Sequence, residues 1–211
     1  MKILVISPHA DDAEIGMGGT IKKLTSQGHD VKMLTAIIPH EYVNGEIDLD
    51  FKQRRLKESK DAAKILGASL QSLDLDPYSF TANRELTKQF DKIIRDYKPD
   101  RLFSCWEHDS HQDHHTMSQI IASCSRKNNF SVYQYEVMLP GGITSQAFNP
   151  QLFVNISDFI ESKKSSITIY KSVFDENPNH VDSILARSKH RGGQINVKYA
   201  EAFEIVKEIE M

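Results

Sequence analysis

The sequence predicts an α/β fold of the Rossmann-like kind, a mostly parallel sheet with helices on both faces, spanning residues 1–211 as one domain. Three observations carry this. Short β-rich runs are apolar nearly throughout, as parallel strands covered on both sides must be. Segments of helical periodicity alternate with them, which implies right-handed βαβ units. Residues able to do chemistry gather just after two of the predicted strands, the edge where open parallel sheets bind ligands.

The elements follow in order. Residues 2–7 (KILVIS) read as a buried strand. Residues 14–28 read as a helix that Asp11 or Asp12 caps and Gly28 ends. Residues 30–39 (DVKMLTAIIP) form a second strand, and 52–67 a helix with Leu56, Ala63 and Leu66 on one face and Gly67 as its stop. A short strand is expected at 70–75. An amphipathic helix follows at 84–97, before Pro99, and then a strand at 101–106 (RLFSCW). Residues 114–126 read as helix and 131–137 as strand. Residues 139–150, with Gly141, Gly142 and two prolines, read as a loop. An edge strand at 151–156 and helices at 157–172 and 195–210 complete the expectation. No element is read from 178–194 beyond a basic stretch, Arg187, Lys189, His190 and Arg191, taken as a solvated helix face.

Composition narrows the function classes. At 211 residues, with 39% hydrophobic and 26% charged residues, the chain reads as a soluble globular protein with a real core. The net charge of −3, with no run of like charge, argues against a nucleic-acid partner. The apolar run after Lys2 is shorter than the roughly 7–15 residues of a secretory core, and no stretch reaches membrane-span length. Cys105 and Cys124 stand alone in apolar surroundings and read as reduced core residues, which suits the cytoplasm.

Two clusters carry the chemistry. Pro8-His9-Ala10-Asp11-Asp12-Ala13-Glu14 follows the first strand, and His108-Asp109-Ser110-His111-Gln112-Asp113-His114-His115 follows the strand ending at Trp106. Imidazoles and carboxylates are zinc ligands, and catalytic zinc sites use three of them with one position open. Each cluster alone has a plainer reading. Asp11 with Glu14 fits a capping box, and His111 and His114 fit surface histidines ahead of a helix. Together, at convergent strand ends, they fit a hydrolytic metal site. Gly16-Met17-Gly18-Gly19 looks like a fragment of a dinucleotide fingerprint, but acidic residues stand where a pyrophosphate would sit. Those glycines read instead as room for close packing of helix on sheet.

At these residues the chain resembles the LmbE-like (PIG-L) family of metal-dependent N-acetylglucosaminyl deacetylases. The family's His-Pro/Ala-Asp-Asp-x-Glu motif stands here as His9-Ala10-Asp11-Asp12-Ala13-Glu14, followed by Ile15-Gly16-Met17-Gly18-Gly19-Thr20. Its His-Pro-Asp-His motif stands as His111-Gln112-Asp113-His114, with Gln112 in place of proline. Arg55-x-x-Glu58 leading to Leu66-Gly67, and Tyr199-Ala200-Glu201-Ala202-Phe203, echo the family further. The resemblance implies a Rossmann-like fold and a Zn2+ held by His9, Asp12 and His114. It implies Asp11 as general base, His111 facing the developing oxyanion, and Asp113 orienting that histidine. His115 competes with His114 as a ligand, and motif spacing favours His114. It also implies an N-acetylated amino-sugar substrate and leaves a homo-oligomer open.

The chemistry of the residue types agrees. An amide is a poor electrophile and water a poor nucleophile; a divalent cation with one open position polarises the carbonyl and lowers water's pKa toward about 7. Adjacent carboxylates allow one to bind metal and the other to move protons. Two alternatives stand beside this reading: a metal-dependent amidase or esterase on a non-sugar, and a sugar- or nucleotide-binding module without catalysis. Arg55, Tyr42 and Trp106 are candidate sugar contacts, although Arg55 also fits a simple pair with Glu58 and Trp106 a core position.

Overall fold

The computed structural model describes residues 1–211 apart from 41, 44, 45, 138–143, 145, 176, 177 and 211, and only the backbone of 42, 43 and 178. Strands β1 (Lys2–His9), β2 (Asp30–Ile37), β5 (Ser69–Ser72), β6 (Arg101–Cys105) and β7 (Ser131–Tyr135) are parallel, in the order β5-β2-β1-β6-β7. The sheet is extended by β9 (Ala200–Lys207), antiparallel to β7, and then by β8 (Leu152–Asn155) at the edge. A small hairpin, β3 (Tyr42–Val43) with β4 (Glu46–Ile47), follows β2.

The helices are α1 (Asp12–Ser26), α2 (Leu49–Leu66), α3 (Arg84–Tyr97), α4 (Gln112–Ser125), α5 (Ile160–Thr168), α6 (Lys171–Phe174) and α7 (Pro178–Gln194). From β1 the chain steps through α1, β2 and α2 toward the β5 edge. It then crosses back through α3 to β6 and moves the other way through α4. With right-handed crossovers, α1 and α2 therefore cover one face and α3 and α4 the other. In keeping with this, α1, α2 and α5 pack on one another, and α3 packs on α4. The direction reverses between β1 and β6, which are neighbours, so a cleft opens at their carboxyl ends. Ile3 to Ile6 are wholly buried, and Phe103 stacks on Tyr133 and meets Phe203 edge-on in the same core.

Most predicted elements lie where the sequence places them, within a few residues at their ends. Residues 157–172 break into a 3-10 turn, α5 and α6. Residues 195–210 do not form a helix. Ala200–Lys207 is strand β9, paired on both sides with antiparallel neighbours, and that pairing overrides the helical preference of its Ala, Glu and Lys residues. Helix α7 was not read from the sequence; its Pro178, Gly192 and Gly193 obscure the pattern. Nor is its basic stretch only a solvated face. Lys189 and His190 are exposed, but Arg191 makes paired hydrogen bonds to Glu136 at 3.0–3.1 Å and Arg187 donates to the Val137 carbonyl at 3.0 Å.

Helix α1 is kinked. Met17 leaves helical geometry (φ −148°, ψ 24°) and splits it into two turns-long pieces. The groups freed by the break are satisfied from outside the helix. The Lys163 ammonium donates to the carbonyls of Glu14 and Ile15, and the Glu201 carboxylate accepts from the backbone N–H groups of Gly19 and Thr20 at 3.0 and 2.6 Å. Lys163 and Glu201 are themselves ion-paired and almost fully buried. A Cβ on Gly16 would sit 2.3 Å from the Tyr135 ring of β7, and one on Gly19 would sit 2.7 Å from Ile156. Gly16 thus gives the close approach to the sheet expected of these glycines, and Gly19 admits the segment ahead of α5.

Candidate active site

The two motifs meet at the β1–β6 cleft. His9 ends β1, Asp11 and Asp12 open α1, and Asp109, His111 and His114 lie in the turn after β6 and the first turn of α4. His9, Asp11, Asp12, Arg55, His111 and His114 line one open cavity of about 430 Å³, which Pro39, Asp109, Ser110 and Val137 complete.

Asp12 stands at the centre. Its Oδ2 accepts the His9 backbone N–H at 2.8 Å and lies 3.4 Å from His9 Nδ1, while its Oδ1 lies 3.3 Å from His114 Nε2. The second nitrogen of each imidazole faces another carboxylate. His9 Nε2 is 2.9 Å from Asp113 Oδ2, and His114 Nδ1 is 3.2 Å from Asp109 Oδ2 without hydrogen-bond alignment. Metal-bound histidines characteristically have one nitrogen on the metal and the other on a carboxylate, which fixes the ring. The Asp12–imidazole separations of 3.3 and 3.4 Å also match roughly the ligand-to-ligand spacing around an ion with bonds near 2.0–2.1 Å. The donor set therefore fits a divalent metal. A second combination exists: nitrogens of His9, His111 and His114 lie within 4.8 Å of one another.

These contacts shift the titrations of the metal-free chain. Burial opposes charge on His9, but the carboxylates of Asp113 and Asp12 hold its pKa up at about 9. His114 is likewise disfavoured by burial, yet Asp12 and Asp109 raise it to about 10. Burial also works against ionised Asp12, and the His114 and His9 rings hold its carboxyl far below the usual range.

Asp11 is set apart from this cluster. Its backbone has φ 109°, where side chains other than glycine are strained, and its side chain makes no helix-capping bond. The capping-box reading is therefore not what the residue does. Glu14 instead accepts from the Tyr170 hydroxyl at 2.8 Å. Arg55 donates to the Ala10 carbonyl at 2.6 Å and approaches Asp11 Oδ2 at 3.3 Å, so it holds both the strained turn and its carboxylate. Burial pushes the Asp11 carboxyl up to about 6, against the pull of Arg55. A carboxylate near that value is a competent base close to neutral pH.

His111 caps α4: its Nδ1 accepts the Asp113 backbone N–H at 3.1 Å. A ring nitrogen that accepts carries no proton, which leaves the proton of the neutral ring on Nε2. Burial and the neighbouring His9 and His114 rings lower the His111 pKa. The Asp113 carboxylate, which the sequence reading pairs with His111, is 3.9 Å from His111 Nδ1 and sits on His9 instead. Asp109, given no role from the sequence, faces His114; its only sequence signal is its place in the same cluster.

The remaining candidates divide. His115 is exposed and does not line the cavity, whereas His114 does. Arg55 lies at the cavity wall, 2% exposed. Trp106 is core, packed edge-on against Phe148. The Tyr42 side chain, Gly141 and Gly142 fall outside the described residues.

The cleft of this doubly wound α/β fold gathers imidazoles and carboxylates of a kind able to hold a divalent metal. Residues 4–125, more than half of the chain, match the family PIG-L, GlcNAc-PI de-N-acetylase, and the chain belongs to that family of deacetylases. It is 33% identical over 189 residues to the diacetylchitobiose deacetylase of Thermococcus kodakarensis, covering 83% of this chain and 71% of that protein. It is 24% identical over 187 residues to the probable N-acetyl-α-D-glucosaminyl L-malate deacetylase 2 of Bacillus cereus, covering 81% and 82%. Among solved structures, the N,N'-diacetylchitobiose deacetylase of Pyrococcus horikoshii, complexed with an inhibitor, superposes with a TM-score of 0.81 at 27% identity, covering 97% of this chain and 83% of that one. Among the described residues no helix is long and apolar enough to cross a membrane.

Proposed function

We propose that this chain is a zinc hydrolase that removes the acetyl group from an N-acetylglucosamine-containing saccharide, releasing acetate and the free amino sugar. The observation that carries the reading is the arrangement around Asp12: two imidazoles, each between Asp12 and an outer carboxylate, beside a second aspartate kept out of the cluster. His9, Asp12 and His114 would hold the metal, which when bound supplies a Lewis acid for the acetyl carbonyl and acidifies water.

The protein's own groups do the rest. Asp11, held by Arg55, takes the proton of the attacking water as its oxygen adds to the carbonyl carbon. His111 donates its Nε2–H to the oxyanion that forms there. Asp11 then returns the proton to the departing amine nitrogen as the C–N bond breaks. Asp113 and Asp109 are positioning residues for His9 and His114.

The direct test is acetate release from N-acetylglucosamine and N,N'-diacetylchitobiose. Stripping the protein with a chelator should abolish it, and about one equivalent of zinc per chain should restore it. Full activity of rigorously metal-free protein would overturn the metal, and no acetate from either sugar with zinc supplied would overturn the substrate.

The proximity of three imidazole nitrogens favours a second ligand set, with His111 in place of Asp12. His111→Ala separates the two. As an oxyanion donor lost only in the transition state, it should leave zinc content and KM near wild type and slow kcat about 100- to 1000-fold. Loss of zinc from His111→Ala together with retention by Asp12→Ala would make His111 the ligand in place of Asp12.

A further inference from the structure

Resting on that deacetylase reading, we infer that the cavity selects an uncharged saccharide, an N-acetylglucosamine oligosaccharide without an acidic group, and rejects conjugates whose aglycone is an anion such as a carboxylate or phosphate. An enzyme for an anionic conjugate needs an unspent cation where the aglycone lies, because an anion moved from water into a cleft is stabilised only by a partner.

With a metal on the imidazoles, the described residues of the cavity include no such cation. Arg55 is the only Lys or Arg among the described residues lining it. Its Nη2 is used by the Ala10 carbonyl and Asp11, its Nη1 lies 3.3 Å from Ser172 Oγ, and Glu58 stands 3.9 Å away. Its Nε has no partner but is sealed from solvent. Lys52, near the start of α2, is paired with Asp74 at 2.8 Å. The segments that follow the strands around the cleft do not supply a replacement. Residues 38–48, 106–111 and 136–151 contain no Lys or Arg in the sequence, and among their described residues Glu46, Asp48, Glu107 and Asp109 are acidic, while Glu136 is spent on Arg191.

The local charge closes the argument. With a divalent ion bound and the lining imidazoles neutral, Asp11, Asp12 and Asp109 bring three negative charges, Arg55 one positive and the ion two, so the total is neutral (−3 + 1 + 2 = 0). Nothing positive is then left over among the described lining residues for a second anion, and the net acidic segments that follow the strands repel one. The cavity volume of about 430 Å³ falls within the roughly 300–1,000 Å³ of small-ligand sites, and exposed Ser110 is part of its lining. Pro39 and Val137 supply apolar wall for a sugar face.

The test compares methyl N-acetylglucosaminide and N,N'-diacetylchitobiose with N-acetylglucosamine 1-phosphate, by kcat/KM and by calorimetric binding to the zinc-loaded protein, at low and high salt. The neutral sugars should be preferred by at least tenfold and be insensitive to salt. Use of the phosphate should improve as salt rises, because screening relieves repulsion but not a steric clash. Ser110→Lys, which adds a cation at the rim, should shift the preference several-fold toward the phosphate. Equal or better use of the phosphate, or its weakening by salt, overturns the inference while leaving deacetylation standing. Absence of acetate from all three sugars overturns deacetylation; calorimetry then still decides the charge preference, and binding of none of the three overturns that too.

Discussion

Asp11→Asn should keep its zinc and lose about 100- to 10,000-fold in deacetylation rate, the range for removing a general base, whereas Asp12→Ala should not retain zinc at all. The two residues are adjacent in sequence but opposite in environment. Both oxygens of Asp12 are committed to the His9 and His114 side, so its removal deletes the shared centre of the cluster. Asp11 faces Arg55 at 3.3 Å and touches neither imidazole among the contacts described. Asparagine is the informative replacement, because position 11 has φ 109° and Asn tolerates positive φ better than most residues. Alanine there would add backbone strain to the loss of the base. Zinc content and kcat measured on both variants check the division. Equal loss of zinc from the two would show that the aspartates do not have separate roles.

The parts of this site that the sequence exposed are those encoded in a local run. The strand at residues 2–7 is legible because a parallel strand covered on both faces has no polar alternation, and His9, Asp11 and Asp12 are legible because they follow it directly. Proximity of the second cluster to the first was also legible, since both follow strands that point to one edge. Which carboxylate serves which imidazole was not. Asp113 is two residues from His111 and 104 from His9, yet its carboxylate reaches His9 because the first turn of α4 points it across the β1–β6 cleft. Its backbone N–H, not its side chain, is what holds His111.

The same limit explains the errors in the fold. A strand such as Ala200–Lys207, whose Ala and Glu residues favour a helix, becomes a strand through partners 45 to 75 residues away, Leu152–Asn155 and Val132–Tyr135. Sequence periodicity carries no trace of them. The Tyr199–Phe203 echo of the family acquires a physical meaning only in three dimensions. Its Glu201 binds the two backbone N–H groups that the kink at Met17 releases, 180 residues earlier in the chain.

That contact leads to the largest expected effect on stability. Lys163→Met should destabilise the fold by about 3–5 kcal/mol, the cost of leaving one member of a buried ion pair without the other. For a chain of this size that corresponds to a fall in melting temperature of roughly 6–20 °C. The pair is 1% and 2% exposed, so solvent cannot replace the missing charge. Lys163 also donates to the Glu14 and Ile15 carbonyls at the kink, bonds that methionine cannot make. Glu201 retains its two backbone donors, which offset part of the loss. Adding Glu201→Gln to Lys163→Met removes the uncompensated charge while an amide oxygen still accepts from Gly19 or Thr20, so the double variant should melt above the single one. The first turn of α1, which carries Asp12, is joined to this network through those carbonyls, so zinc affinity should weaken in the single variant and recover in part in the double. A melting temperature for Lys163→Met within 2 °C of wild type, or a double variant less stable than the single, would show that the charge pair does not hold the kinked helix in place.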